Sequence, residues 1–153
     1  MVKKLVMQAS IVLILLVAVL YLCLRLWPED KNRWHVDPAD TTDPRRSGVR
    51  LIGPDAPRFP GDADTVLGVI VDIVKASPRT RRVDGSIDEG MITFVVRSRT
   101  MGFRDYVTFK AVSEGGLSKL AVYARPGMNV YDWGTNAALL DDWLLKAQQT
   151  LDR

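Results

Sequence analysis

The sequence points to an α+β fold: an N-terminal transmembrane helix, a Pro-rich linker, then an antiparallel three- to four-stranded sheet with two helices packed on one face. Of the 23 residues from Leu5 to Trp27, 20 are apolar, against 50 of the 126 from Pro28 to Arg153. Between Thr80 and Arg125 apolar residues alternate with polar ones, the period of a half-buried strand. The segments on either side of that alternation repeat at the period of an amphipathic helix. The resulting divisions are residues 1–4 for a short tail, 5–27 for the span, 28–61 for a linker or wrapping arm and 62–153 for the folded domain.

The span comes first. Ile11 to Leu24 holds no charged or strongly polar side chain, and a helix from Leu5 to Trp27 would be ~34 Å long, enough to cross a ~30 Å hydrocarbon core. A cleaved signal ends in small residues, which Tyr21-Leu22-Cys23-Leu24-Arg25 lacks. Leu22 is also bulkier than the residue before a lipidated cysteine, so Cys23 reads as a small hydrophobe within the span. Trp27 and Trp34 suit an interfacial belt. The short flank carrying Lys3 and Lys4 predicts a signal-anchor: a single-pass protein of the cell inner membrane with its C-terminal domain in the periplasm. With no cysteine after Cys23, the domain has no disulfide of its own.

Charge excludes one class of function. Of the 21 basic residues, Lys3, Lys4 and Arg25 lie in the first 27 positions, leaving 18 against 18 acidic ones beyond, so the net +3 belongs to the anchor. A neutral domain lacks the clustered basic excess on which nucleic-acid affinity rests.

Six of the eight prolines fall between Pro28 and Pro60, so that stretch cannot hold a regular element for long, although Val49, Leu51 and Ile52 suggest one short extended piece. Asp62 and Asp64 offer capping oxygens to a helix that runs to Ala76 and stops at Ser77-Pro78. Its buried face is expected to be Val66, Leu67, Val69, Ile70, Ile73 and Val74. Three strands follow, with Thr80 to Val83 as an optional fourth. One face carries Ile92, Phe94, Val96, Val107, Phe109, Ala111, Leu120, Val122 and Ala124, with turns at Met101-Gly102 and Glu114-Gly115-Gly116. From Asn136 a second helix presents Leu140, Trp143, Leu144, Ala147 and Leu151.

The opposite sheet face alternates basic and aromatic side chains: Arg97 and Arg99 on the first strand, Arg104, Tyr106 and Lys110 on the second, Lys119, Tyr123 and Arg125 on the third. Its plain reading is a solvated face. Its sharper reading is a docking surface for an anionic group, such as a lipid phosphate, or for an acidic partner.

Trp34-His35-Val36-Asp37-Pro38, Arg97-Ser98-Arg99-Thr100 with Gly102-Phe103-Arg104-Asp105-Tyr106-Val107, and Asp132-Trp133-Gly134-Thr135-Asn136 leading into Trp143-Leu144 resemble the bacterial domain-of-unknown-function 1499 family over most of the chain from Trp34 onward. Against that family's late motif, Arg125, Asp132, Gly134 and Asn136 are kept, while Gly127, Ala137 and Leu139 stand where the family places arginines. The resemblance implies an envelope location and an architecture, not a chemistry. It also implies that an anionic ligand held by those arginines would bind weakly here or not at all. The kept residues have structural readings as well: Gly134 as a turn, Asp132 as an Asx bond, Thr135 or Asn136 as a helix cap.

Catalytic groupings are scarce. One histidine, His35, and one cysteine, Cys23, give neither a Cys-His pair nor a two-His metal site, and His35 is expected to pack with Trp34 at the interface. Asp37, Asp40 and Asp43 recur at the wrong interval for a calcium loop, and no glycine-rich phosphate loop precedes a helix. No metal or cofactor is expected. The chain is expected to be a non-catalytic binding or scaffolding module that meets another envelope protein or anionic lipid headgroups. The candidate binding residues are Arg97, Arg99, Asp105, Tyr106, Tyr123, Arg125, Asp132, Gly134 and Asn136. The alternatives are a carboxylate-dependent hydrolase or transferase using Asp105 and Asp132 near Arg97 and Arg125, and a structural member with an eroded ligand site.

Overall fold

The computed structural model describes residues 2–42, 48–99, 102–127 and 135–153. The first helix, α1 (Val2–Leu26), carries most of its described apolar side chains exposed, and Val2–Cys23 has a mean hydropathy of 2.7 with none of it buried against the rest of the molecule. It is long and apolar enough to cross a membrane, a property that anchors and signal sequences share. After it come a short helix α2 (Lys31–Trp34), the strands β1 (Val49–Leu51) and β2 (Arg58–Pro60), and helix α3 (Ala63–Ala76). The strands β3 (Thr80–Ser86), β4 (Met91–Arg97), β5 (Arg104–Glu114) and β6 (Leu117–Pro126) and a final helix α4 (Thr135–Leu151) complete the described strands and α-helices. The fold is α+β.

All described strands join one antiparallel sheet in the order β1-β6-β5-β4-β3, with β2 also paired to β6. The sheet therefore has six strands among the described residues rather than three or four. β2 escapes the alternation pattern because its three residues include Pro60 and follow Pro57, a composition confined to sheet edges. β3 continues past Val83 to Ser86 through a register shift between Arg82 and Asp84, which periodicity alone cannot follow.

The inner face is the expected one. Ile92 pairs with Phe109 and Phe109 with Val122, while Phe94 pairs with Val107 and Val107 with Ala124, placing six apolar side chains in two rows under the helices. Asp62 caps α3 by accepting a hydrogen bond from the Thr65 amide at 2.7 Å. Val66, Leu67, Ile70 and Val74 are buried, and Val69 and Ile73 partly so. Val71, which the predicted face leaves out, is buried too, because α3 packs on α4 as well as on the sheet. On α4, Leu140, Trp143 and Ala147 are buried, and the Trp143 indole donates to Ser77 Oγ at 2.7 Å just past the end of α3.

The outer face departs from its plain reading. Thr93, Val95 and Thr108 have no exposed surface and Tyr106 has 2%, because the segment from Trp27 to Pro38 lies across them. The face that reads as solvated is the floor of an interface made within the chain.

Candidate binding site at the foot of the apolar helix

Arg97 and Arg104 stand opposite each other at the ends of β4 and β5. Both reach the last turn of α1: Arg97 Nη1 donates to the Arg25 carbonyl at 3.0 Å and Arg104 Nη2 to the same oxygen at 2.9 Å. A helix leaves its last carbonyls without partners, and here the domain supplies two guanidinium donors to one of them. Four residues after Arg25, Glu29 turns back between arginines. It is bonded to Arg81, and its Oε1 lies 3.6 Å from both Arg97 Nη2 and Arg104 Nε. Burial first, and then the neighbouring Arg104 charge, hold the Arg97 guanidinium below its ordinary pKa, with Glu29 opposing them.

Next along the arm, Trp34 stacks on Tyr106, and Arg125 sits between rings, its guanidinium carbon 5.3 Å from the Trp34 centroid and 4.4 Å from that of Tyr123. Arg125 Nη2 also donates to the Trp34 carbonyl at 2.6 Å. Burial holds the Arg125 pKa down, and burial, followed by the Glu29 charge, raises that of the Tyr106 phenol. His35 turns its ring onto the sheet. Its Nδ1 lies 2.9 Å from Thr93 Oγ1, which lies 2.9 Å from Thr108 Oγ1, a polar chain inside the interface. Asp37 then pairs with Lys110 and caps the turn that follows by accepting from the Ala39 amide. Trp34 likewise packs on the sheet, where a large apolar ring finds contact over Tyr106, Val83 and Val95.

Between this arm, the end of α1 and the β4–β5 connection lies a cavity of about 420 Å³. Trp27, Trp34, Phe103 and Tyr106 give it aromatic walls, Gly102, Gly127 and Pro28 complete them, and Arg33, Arg104 and Asp30 bring charge. One Asp30 oxygen is taken by the Asn32 amide as the cap of α2. Arg104 Nε is buried and makes no hydrogen bond among the described residues, the Glu29 carboxylate with which it is ion-paired standing 3.6 Å away. Gly127 admits no side chain here, since a Cβ would stand 2.5 Å from the Arg104 carbonyl oxygen and 2.9 Å from Tyr106 Cε2.

The predicted binding residues divide. Arg97, Tyr106, Tyr123 and Arg125 share the outer face, where Arg97, Tyr106 and Arg125 hold the arm and Tyr123 lies under Arg125, and of these only Tyr106 reaches the cavity. Arg99 is exposed beyond the end of β4. Asp105 belongs with the opposite face: alternation along β5 sends Arg104 and Tyr106 outward and Asp105 toward the helix side, so it does not converge with Arg97 and Arg125. Asn136 is buried in the first turn of α4, inside the helix rather than at its cap, and Thr135 is already helical. Asp132 and Gly134 lie outside the described residues, as do Met101 of the first predicted turn and Asp43. Arg33, Phe103 and Glu29 are not among the candidate binding residues; Phe103 stands in the motif that carries the resemblance, and only their nearness to the apolar run marks Arg33 and Glu29 in the sequence. Among the described residues no group of three or more His, Cys, Asp or Glu could hold a metal ion.

No family model, no curated protein and no solved structure matches this chain.

Proposed function

We propose that this chain is a non-catalytic binding module of the bacterial cell envelope, anchored by α1 as a single pass in the inner membrane with its domain in the periplasm. Its site is the cavity at the foot of α1, and its ligand carries negative charge. One observation carries this reading: a 420 Å³ cavity with aromatic walls and two arginines, Arg33 and Arg104, opens beside the end of a helix apolar enough to cross a bilayer. The resemblance to the domain-of-unknown-function 1499 family belongs to the same proposal and supports the envelope location. The arginines concerned are not those that the family's late motif places where this chain has Gly127, Ala137 and Leu139. Leu139 packs on the core, so that part of the motif serves packing in this chain.

Thermal unfolding of the full chain in a neutral detergent, with and without glycerol 1-phosphate, tests the charge preference. A ligand that binds only the folded state raises the melting temperature by mass action. The expected result is a concentration-dependent rise that Arg33→Gln abolishes. No rise with soluble or lipidic phosphate esters would overturn the reading, and a rise produced only by an acidic protein would turn it to the scaffolding alternative.

A further inference from the structure

We infer that the ligand is a single anionic phospholipid, seated with its phosphate in the arginine-bearing cavity and an acyl chain along α1. The inference rests on the site proposed above and adds an observation that reading does not use. A second, open groove of about 320 Å³ runs up the flank of α1, formed by Val19, Leu22, Cys23, Leu26, Trp27 and Pro28. It shares Trp27 and Pro28 with the cavity, so the two are neighbouring parts of one surface. One part is apolar throughout; the other holds Arg33 and Arg104.

That division is the division of a phospholipid. A soluble anion would use the arginines and leave the groove empty, and a neutral hydrocarbon would use the groove and gain nothing from buried charge. Arg104 Nε, buried without a hydrogen bond among the described residues and 3.6 Å from the Glu29 carboxylate, and Arg33, exposed with its guanidinium carbon 4.8 Å over the Trp34 ring, are the donors a phosphate diester would meet. Trp27 follows directly on α1, and a tryptophan at the end of an apolar span favours the level at which glycerol and headgroup meet. Asp30 also lines the cavity, and one of its oxygens is already engaged by the Asn32 amide.

The test is native mass spectrometry of the full chain released from nanodiscs of mixed phosphatidylglycerol and phosphatidylcholine. Retention of phosphatidylglycerol in preference to phosphatidylcholine is expected. Arg33→Gln and Leu22→Trp, the latter filling the groove while keeping α1 apolar, should each weaken retention about tenfold, the loss of one charge-assisted contact or of the chain's seat. Near-ultraviolet circular dichroism verifies that each variant is folded, and Arg33→Lys, which keeps the charge, should restore part of the preference. If glycerol 1-phosphate stabilises the chain but the two lipids are retained equally and Leu22→Trp has no effect, the lipid inference fails while the anion site stands. If no anion binds and Arg33→Gln changes nothing, both fall.

Discussion

The indole of Trp34 lies flat on the phenol ring of Tyr106, the centroids 3.8 Å apart and the planes 6° from parallel. This contact joins the stretch that follows the apolar helix to the middle of the sheet. Around it gather Val83 and Val95 below and the Arg125 guanidinium beside, so the ring closes a second small core on the outer face.

Replacing Trp34 with alanine should therefore act as a core truncation. A buried aromatic truncated to alanine costs about 3–5 kcal/mol, and Trp34 keeps part of its surface in water, so about 2–3 kcal/mol is expected. Trp34→Phe, which preserves a stack, should cost less than about 1.5 kcal/mol. Urea unfolding of the full chain in detergent measures both. If the Trp34→Ala midpoint equals that of the parent, the arm is not part of the folded unit.

Gly85 offers a sharper local test. Its φ is 87°, and a Cβ there would stand 2.1 Å from the Met91 carbonyl oxygen and 2.7 Å from His35 Cε1. The position combines a left-handed backbone with the passage of the arm directly over the strand. Gly85→Ala should lower stability by about 2–4 kcal/mol, more than a strained backbone alone would cost. Gly115→Ala, at φ 59° in the open β5–β6 turn with no atom near its missing Cβ, should cost only about 1 kcal/mol. Equal losses in the two melting curves would show that the arm does not crowd Gly85.

These two sites mark the boundary of what could be read in advance. The inner face was legible because Ile92, Phe94, Val107, Phe109, Leu120 and Val122 obey one period and bury against helices of another. The docking of the arm was not. Trp34, His35 and Asp37 have no repeat, and the Thr93, Tyr106 and Thr108 row they cover mixes hydroxyls with a ring, which reads as a wet surface until its partner is known. The cavity was hidden for the same reason: Arg33 and Arg104 are 71 positions apart, and only the sheet register and the fold-back at Glu29 bring them together.

The arm should loosen in acid. Burial acts to raise the Asp37 pKa, but the hydrogen bond from Lys110, the one from the Ala39 amide and the Lys110 charge outweigh it, leaving the carboxyl below its ordinary 3.8. A carboxyl depressed in the folded state stabilises it above the unfolded value and loses that contribution as pH falls through the folded value. Hydrogen exchange of residues 31–38 should therefore accelerate relative to the β4–β5 core below about pH 4. Asp37→Asn should exchange fast at neutral pH and show no such step. A step of the same size in the variant would assign it to another group, the first candidate being Asp84, which the Gly85 amide and Lys31 hold low.

Glu29 decides whether the domain is held against the helix or merely follows it. Its carboxylate is 7% exposed and is shared by Arg81, Arg97 and Arg104, of which Arg104 is the most buried. Removing one partner of a fully buried ion pair costs about 3–5 kcal/mol, and because Arg81 and Arg97 keep contact with water, Glu29→Gln should cost about 1–3 kcal/mol. The cost should fall on the joint rather than on the sheet, because the three arginines would repel one another beside the Arg25 carbonyl that two of them bond. Trypsin should then cleave after Lys31 and Arg33 several times faster in Glu29→Gln than in the parent, while the inner core keeps its melting temperature to within a few degrees. Double replacement Glu29→Gln with Arg81→Gln should recover part of the resistance by lowering the repulsion. Cleavage at the parent rate in the single variant would mean that the two guanidinium bonds to Arg25 hold the joint without the carboxylate.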